Sequence, residues 1–160
     1  MTNRVFTPFP TLKTERLTLR QLSLNDAHNI FALRSNSEIN KYLDRQPSKT
    51  IEDAINFINN IMESIKRNES MYWAISLTDS EIFVGTICLF EFSDQANKCE
   101  IGYELLSNFQ GKGIMKEAIS KVIEFAVQTI NVQTIEAFTH INNQSSTKLL
   151  EKLEFKKSIE

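Results

Sequence analysis

Glycine and proline are both scarce, with four and three residues in a chain of 160. No repeat and no low-complexity tract is present. No apolar run approaches the ~18 residues that a membrane-spanning helix needs. Met1-Thr2-Asn3-Arg4 runs into a proline-containing stretch without an apolar core, so no signal peptide is expected. Cysteine occurs only at Cys88 and Cys99, both in strand-like sequence. Two buried thiols in a reducing cytoplasm are expected there, rather than a disulfide or a metal site. An excess of one charge is missing too. The net charge of −2 gives no reason to expect nucleic acid or an anionic membrane as partner.

What is present is an ordinary globular mix, 41% hydrophobic and 24% charged, and residues 1–160 are read as one domain. Leu17, Leu19 and Leu22 alternate within Thr14–Leu22, the pattern of a first strand. Ser23 with Asp26, then Thr50 with Asp53, open two helices in capping-box fashion. The second carries Ile51, Ala54, Ile55, Ile58, Met62 and Ile65 on one face, and Asn40–Lys49 is the loop between the two. Three strands follow, through Trp73-Ile75-Leu77, Ile82–Phe92 and Glu100–Leu105. Ile114, Ala118, Val122, Phe125 and Ala126 then mark a third helix, with Glu117 and Lys121 read as an exposed pair. Thr134–His140 is a further strand, and Leu149, Leu150 and Leu153 mark a last helix. The order βααβββαβα implies an α/β (α+β) fold, a mixed sheet with helices on both faces.

Two of the four glycines fall together in Gln110-Gly111-Lys112-Gly113, between the strand ending at Leu105 and the third helix. A strand, a glycine loop and a helix start aim free backbone N–H groups at an anion, and Lys112 and Lys116 add positive charge. A phosphorylated ligand is therefore expected. A P-loop is excluded because Gly113 and Ile114, not Ser or Thr, follow Lys112. A dinucleotide fingerprint is excluded because the third glycine is missing.

The string resembles instead the Gln/Arg-x-x-Gly-x-Gly/Ala signature of GCN5-related N-acetyltransferases (GNAT). Gln110 and Gly113 match it, while Met115 replaces the final Gly or Ala. Thr14-Glu15-Arg16-Leu17, Glu100-Ile101-Gly102-Tyr103, and Asn143 with Ser146 and Leu149–Phe155 are similar to the branch that acetylates ribosomal-protein N-termini. The resemblance implies a mostly antiparallel GNAT sheet, acetyl-CoA as cosubstrate and no metal. Two departures stand out. Glu154 takes the usual glycine place after the last helix, at a cost of about 1 kcal/mol. The family's closing hairpin is not expected before Glu160, so the last strand's edge is expected to be completed either by a second subunit, as in a homodimer, or by a strand begun at Ile159.

By the same resemblance, Gln110, Gly111, Lys112, Gly113, Ile114 and Met115 hold the pyrophosphate. Backbone groups of Tyr103 and Leu105 hold the pantetheine arm, Leu105 N–H stabilises the oxyanion, and Asn143 and Ser146 complete the cofactor site. Leu150 stands where many members have a tyrosine acid, and Ser146 is expected to donate a hydrogen bond to the leaving sulfur instead. Glu100 is the first candidate base, followed by Glu104 and His140. The preferred acceptor is a protein N-terminus. A small amine such as a polyamine, drawn by Glu38, Asp44, Glu52 and Asp53, is the alternative, and an inactive CoA-binding module is the rival from another class. Neither cysteine has partners that would make it a nucleophile, so transfer is expected to be direct.

Overall fold

Alternating leucines set the first ribbon. In the computed structural model, which describes residues 4–157, Leu17 and Leu19 are fully buried in β2 (Leu17–Gln21), paired with the two-residue β1 (Leu12–Lys13). Next come α1 (Ala27–Ser35), the single turn α2 (Ser37–Asn40) and α3 (Ile51–Lys66). Strands β3 (Met71–Leu77), β4 (Phe83–Ser93) and β5 (Lys98–Leu105) form a meander. The chain then crosses over through α4 (Ile114–Phe125) into β6 (Thr134–Glu136) and ends on α5 (Gln144–Lys152). The six strands lie in chain order, antiparallel except for the parallel pair β5–β6, which needs such a crossover.

Both capping signals form. Asp26 accepts from Ser23 N–H at 3.0 Å, and Asp53 accepts from Thr50 N–H at 3.2 Å. Successive strand residues point to opposite faces, and the aromatic contacts show what covers each. Phe57 of α3 meets Tyr72 edge-on at 5.7 Å, whereas Phe125 of α4 meets Trp73 at 5.8 Å. Helices α1 and α3 therefore cover one face and α4 the other, as the element order implied. Trp73, fully buried, donates its indole N–H to Pro10 C=O at 3.0 Å.

Three expectations need correction. The strand read as Thr134–His140 stops at Glu136, because its only neighbour among the described residues, β5, pairs with it no further than Glu100. Asn40, read as the first residue of the loop, instead closes a helical turn over residues 37–40, because the Asn36 side chain accepts from Glu38 and Ile39 N–H at 2.9 and 3.1 Å. Glu117 does not pair with Lys121. The Thr14 hydroxyl and the side chain and N–H of Arg16 reach it first, and Lys121 turns to Glu124 at 3.4 Å. Glu154 does adopt the left-handed conformation, φ 68°, and lets Phe155 N–H reach Leu150 C=O at 2.9 Å. Ile159 lies outside the described residues.

Candidate active site

The loop before α4 is built from two left-handed glycines, Gly111 at φ +78° and Gly113 at φ +76°. Gly111 faces open space, while a Cβ on Gly113 would lie 3.5 Å from the Arg16 guanidinium. Ile114 and Met115 are buried beneath the loop and fix the first turn of α4 to the core. The N–H groups of that turn consequently point outward without an intrahelical partner. Gln110 anchors the other side, donating from Nε2 to Leu105 C=O at 3.1 Å. Lys112 turns over the Phe109 ring at 5.8 Å.

A brace from the first ribbon holds this loop, and sequence reading gave it no role. Arg16 donates to Glu117 Oε1 at 2.8 Å and to Lys112 C=O at 3.1 Å. Glu117 also accepts from Arg16 N–H at 3.0 Å and from the Thr14 hydroxyl. Burial alone would raise the Glu117 carboxyl, but these three donors together hold it below its ordinary range. The signal was visible as Thr14-Glu15-Arg16-Leu17, yet its partner lies a hundred residues away.

Strands β5 and β6 part beyond the Glu100–Glu136 pair. Leu106 N–H bonds back to Val84 C=O at 2.8 Å, toward β4. Strand alternation therefore turns the backbone groups of Tyr103 and Leu105 the other way, into the opening. Gly85 is required at this point of β4: a Cβ there would sit 2.2 Å from Glu104 C=O. Across the opening, the Tyr103 hydroxyl lies 2.5 Å from Ser146 Oγ. Burial raises the Tyr103 phenol, which remains a neutral donor. Asn143 caps α5, accepting from Ser146 N–H at 3.3 Å. Position 150 of α5 is a buried leucine, and the phenol beside Ser146 comes from Tyr103 of β5. The sequence reading used only the backbone of Tyr103 and missed its hydroxyl.

The candidate bases separate. Glu104 is held by Arg45 in a two-pronged pair at 2.7 and 2.8 Å. Glu100 has no such pair; burial and the nearby carboxylates of Glu91 and Glu136 raise its carboxyl. It stands five residues before Leu105, about 16 Å along the strand. His140 is exposed, accepts from Asn142 N–H at 3.0 Å and lies 5.3 Å from the Tyr42 ring. Burial pushes the Cys88 thiol up to about 12 and the Cys99 thiol up to about 11, and both are free. Among the described residues no group of His, Cys, Asp and Glu can hold a metal ion, and no helix is long and apolar enough to cross a membrane.

A glycine-headed helix beside a parting pair of strands is the architecture of an acetyl-CoA-dependent acyltransferase. A family model described as an acetyltransferase (GNAT) domain matches residues 16–156, and the chain belongs to that family. It is 33% identical over 149 residues to the uncharacterized N-acetyltransferase YoaA of Bacillus subtilis (strain 168), covering 93% of this chain and 84% of the relative. It is 36% identical over 148 residues to the uncharacterized N-acetyltransferase p20 of Bacillus licheniformis, covering 92% and 83%. The same fold occurs in RimL, a ribosomal L7/L12 alpha-N-protein acetyltransferase solved in complex with coenzyme A. That likeness has a TM-score of 0.81 at 16% identity and covers 89% of this chain and 82% of that one.

Proposed function

We propose that this acyltransferase moves the acetyl group of acetyl-CoA to a protein N-terminal α-amine, by direct attack in a ternary complex in the cytoplasm. The observation that carries this reading is the opening between β5 and β6, lined by Tyr103 and Leu105 backbone groups and closed by the Tyr103–Ser146 hydroxyl pair. In this reading the outward N–H groups from Gly111 to Met115 hold the pyrophosphate, with Gln110 and Lys112 shaping the loop. The pantetheine arm runs along Tyr103 and Leu105 toward Asn143, and a strand N–H there meets the carbonyl oxygen.

Attack by the neutral amine forms the C–N bond and places negative charge on the carbonyl oxygen. Collapse breaks the C–S bond, the Ser146 hydroxyl, held by Tyr103 at 2.5 Å, donates a hydrogen bond to the leaving thiolate, and solvent supplies the proton that makes the free thiol. An α-amine has a pKa of about 8, so a substantial fraction is already neutral at physiological pH. Its last proton leaves along a chain of waters that ends at Glu100, about 16 Å down the strand, whose raised pKa suits a proton acceptor better than the Arg45-bound Glu104. Covalent catalysis by cysteine is disfavoured because both thiols are held protonated.

A polyamine acceptor is the weaker reading. Of the four carboxylates that would attract one, Asp53 is committed to capping α3. The deciding experiment follows thiol release with peptides bearing free or blocked α-amines and with free polyamines. Turnover only with free α-amine peptides is expected; turnover only with polyamines contradicts the reading.

A further inference from the structure

Two arginines share one carboxylate on the α1/α3 face of the sheet. Arg45 is already committed: it grips both oxygens of Glu104 and donates Nε–H to Asn40 Oδ1 at 2.7 Å. Arg34 is not. Its guanidinium lies 3.9 Å over the Phe57 ring, and among the described residues it makes no ion pair or hydrogen bond through its side chain. It lines a cavity of about 440 Å³ together with Gln46, Ser48, Lys49, Asn56 and Asn60. The one carboxylate in that lining, Asp53, is spent on the N–H groups of Lys49 and Thr50, at 2.8 and 3.2 Å.

Counted by charge, Arg34 and Arg45 face Glu104 alone. Burial lowers the affinity of Arg34 for its proton, and the neighbouring Arg45 cation lowers it further. Two cations facing a single carboxylate leave one positive charge unmatched, and Arg34 is the one not in contact with it. Stacking on Phe57 orients the guanidinium plane and leaves its N–H edge for a planar partner, and a carboxylate is the natural fit. Glu104 sits on β5 between Tyr103 and Leu105, so the cluster is anchored on the strand that borders the opening.

We propose that Arg34, seated between the Gln46–Lys49 cavity and the Arg45–Glu104 pair, is a specificity site for a carboxylate carried by the acceptor close to its reactive amine. This rests on the acetyl-transfer reading of the opening and narrows its acceptor to acidic ones. The carboxylate comes either from an acidic side chain near a peptide N-terminus or from the α-carboxylate of a free amino acid.

Calorimetry on the CoA-saturated protein tests this without requiring turnover. The probes are two amidated tetrapeptides that differ only in Glu or Gln at the second and third positions, and free serine. The acidic peptide is expected to bind at least about tenfold tighter than its neutral twin, the scale of one charge-assisted contact. Arg34→Gln should bring the two within about twofold, while Arg34→Lys, which keeps the charge but loses the planar fork, should retain part of the preference. Free serine binding in place of either peptide assigns the carboxylate to an amino acid. Equal affinities, no binding of any probe, or a preference unchanged in Arg34→Gln overturns the proposal. If Arg34→Gln does not fold, Arg34→Lys and the salt dependence of the wild-type preference still decide it. Acetyl transfer is measured in parallel: discrimination without turnover counts against the catalytic reading alone.

Discussion

Gly113 shows how much a single backbone conformation can carry. At φ +76° it turns the chain into α4, and a β-branched residue there is strained whatever space surrounds it. Gly113→Val should weaken acetyl-CoA binding by about 100-fold in a calorimetric titration. Gly111→Ala, also left-handed but facing open space, should cost no more than about tenfold. Retained affinity in Gly113→Val would remove the loop from cofactor binding. The hydroxyl pair makes a different prediction. If Tyr103 and Ser146 donate as one relay, Tyr103→Phe and Ser146→Ala should each lower kcat by about tenfold, and the double variant little more. Strictly additive losses in steady-state kinetics would mean that they act independently.

Asp26 is a stability residue. It is 2% exposed, paired with Arg20 at 2.7 and 2.9 Å, and accepts from Ser23 N–H in the turn that leads into α1. Burial alone would raise its carboxyl, but Arg20 and the Ser23 N–H together hold it below the usual 3.8. A depressed carboxyl stabilises above the unfolded-state value and loses that contribution as pH falls through the folded one. Asp26→Asn should therefore cost about 2 kcal/mol near neutrality, a figure kept modest because Arg20 is partly in water. The deficit should shrink below about pH 4 in urea titrations.

Among the elements, the long periodic ones were readable and the short ones were not. α3 declared itself by its apolar stripe and by Thr50 with Asp53, and the meander β3–β5 by alternation around two turns. β1 is two residues long and exists because β2 lies beside it; no local pattern marks it. β6 ended early for the converse reason, since residues 137–140 have strand-like sequence but no paired neighbour among the described residues. The brace from β2 to α4 is a purely tertiary fact. Arg16→Ala should raise the KM for acetyl-CoA about fivefold with kcat nearly unchanged, because it loosens the loop without touching the thioester. An equal fall in kcat would place Arg16 in the chemistry instead.

At the scale of the molecule, the sheet aligns three things that the sequence displays separately: a glycine-headed helix, a parting strand pair and a hydroxyl couple. The loop was legible because phosphate chemistry demands glycines at fixed spacing. The acceptor side was not, since Arg34, Arg45 and Glu104 come from a helix, a loop and a strand and meet only in the fold. The pH profile is a property of this whole arrangement. With an α-amine acceptor, kcat/KM should rise toward pH 8 as the amine loses its proton, and Glu100→Gln should lower the plateau without moving that limb. A limb that shifts with Glu100 would make the carboxyl, not the amine, the titrating group.

The most direct test of cofactor seating is to compare acetyl-CoA with acetyl-pantetheine, which has the thioester and arm but no pyrophosphate. If amide groups at the head of α4 hold the pyrophosphate, acetyl-CoA should bind about 100-fold tighter, and Gly113→Val should erase the difference. Equal affinities for the two compounds, or a difference that survives Gly113→Val, would contradict the account.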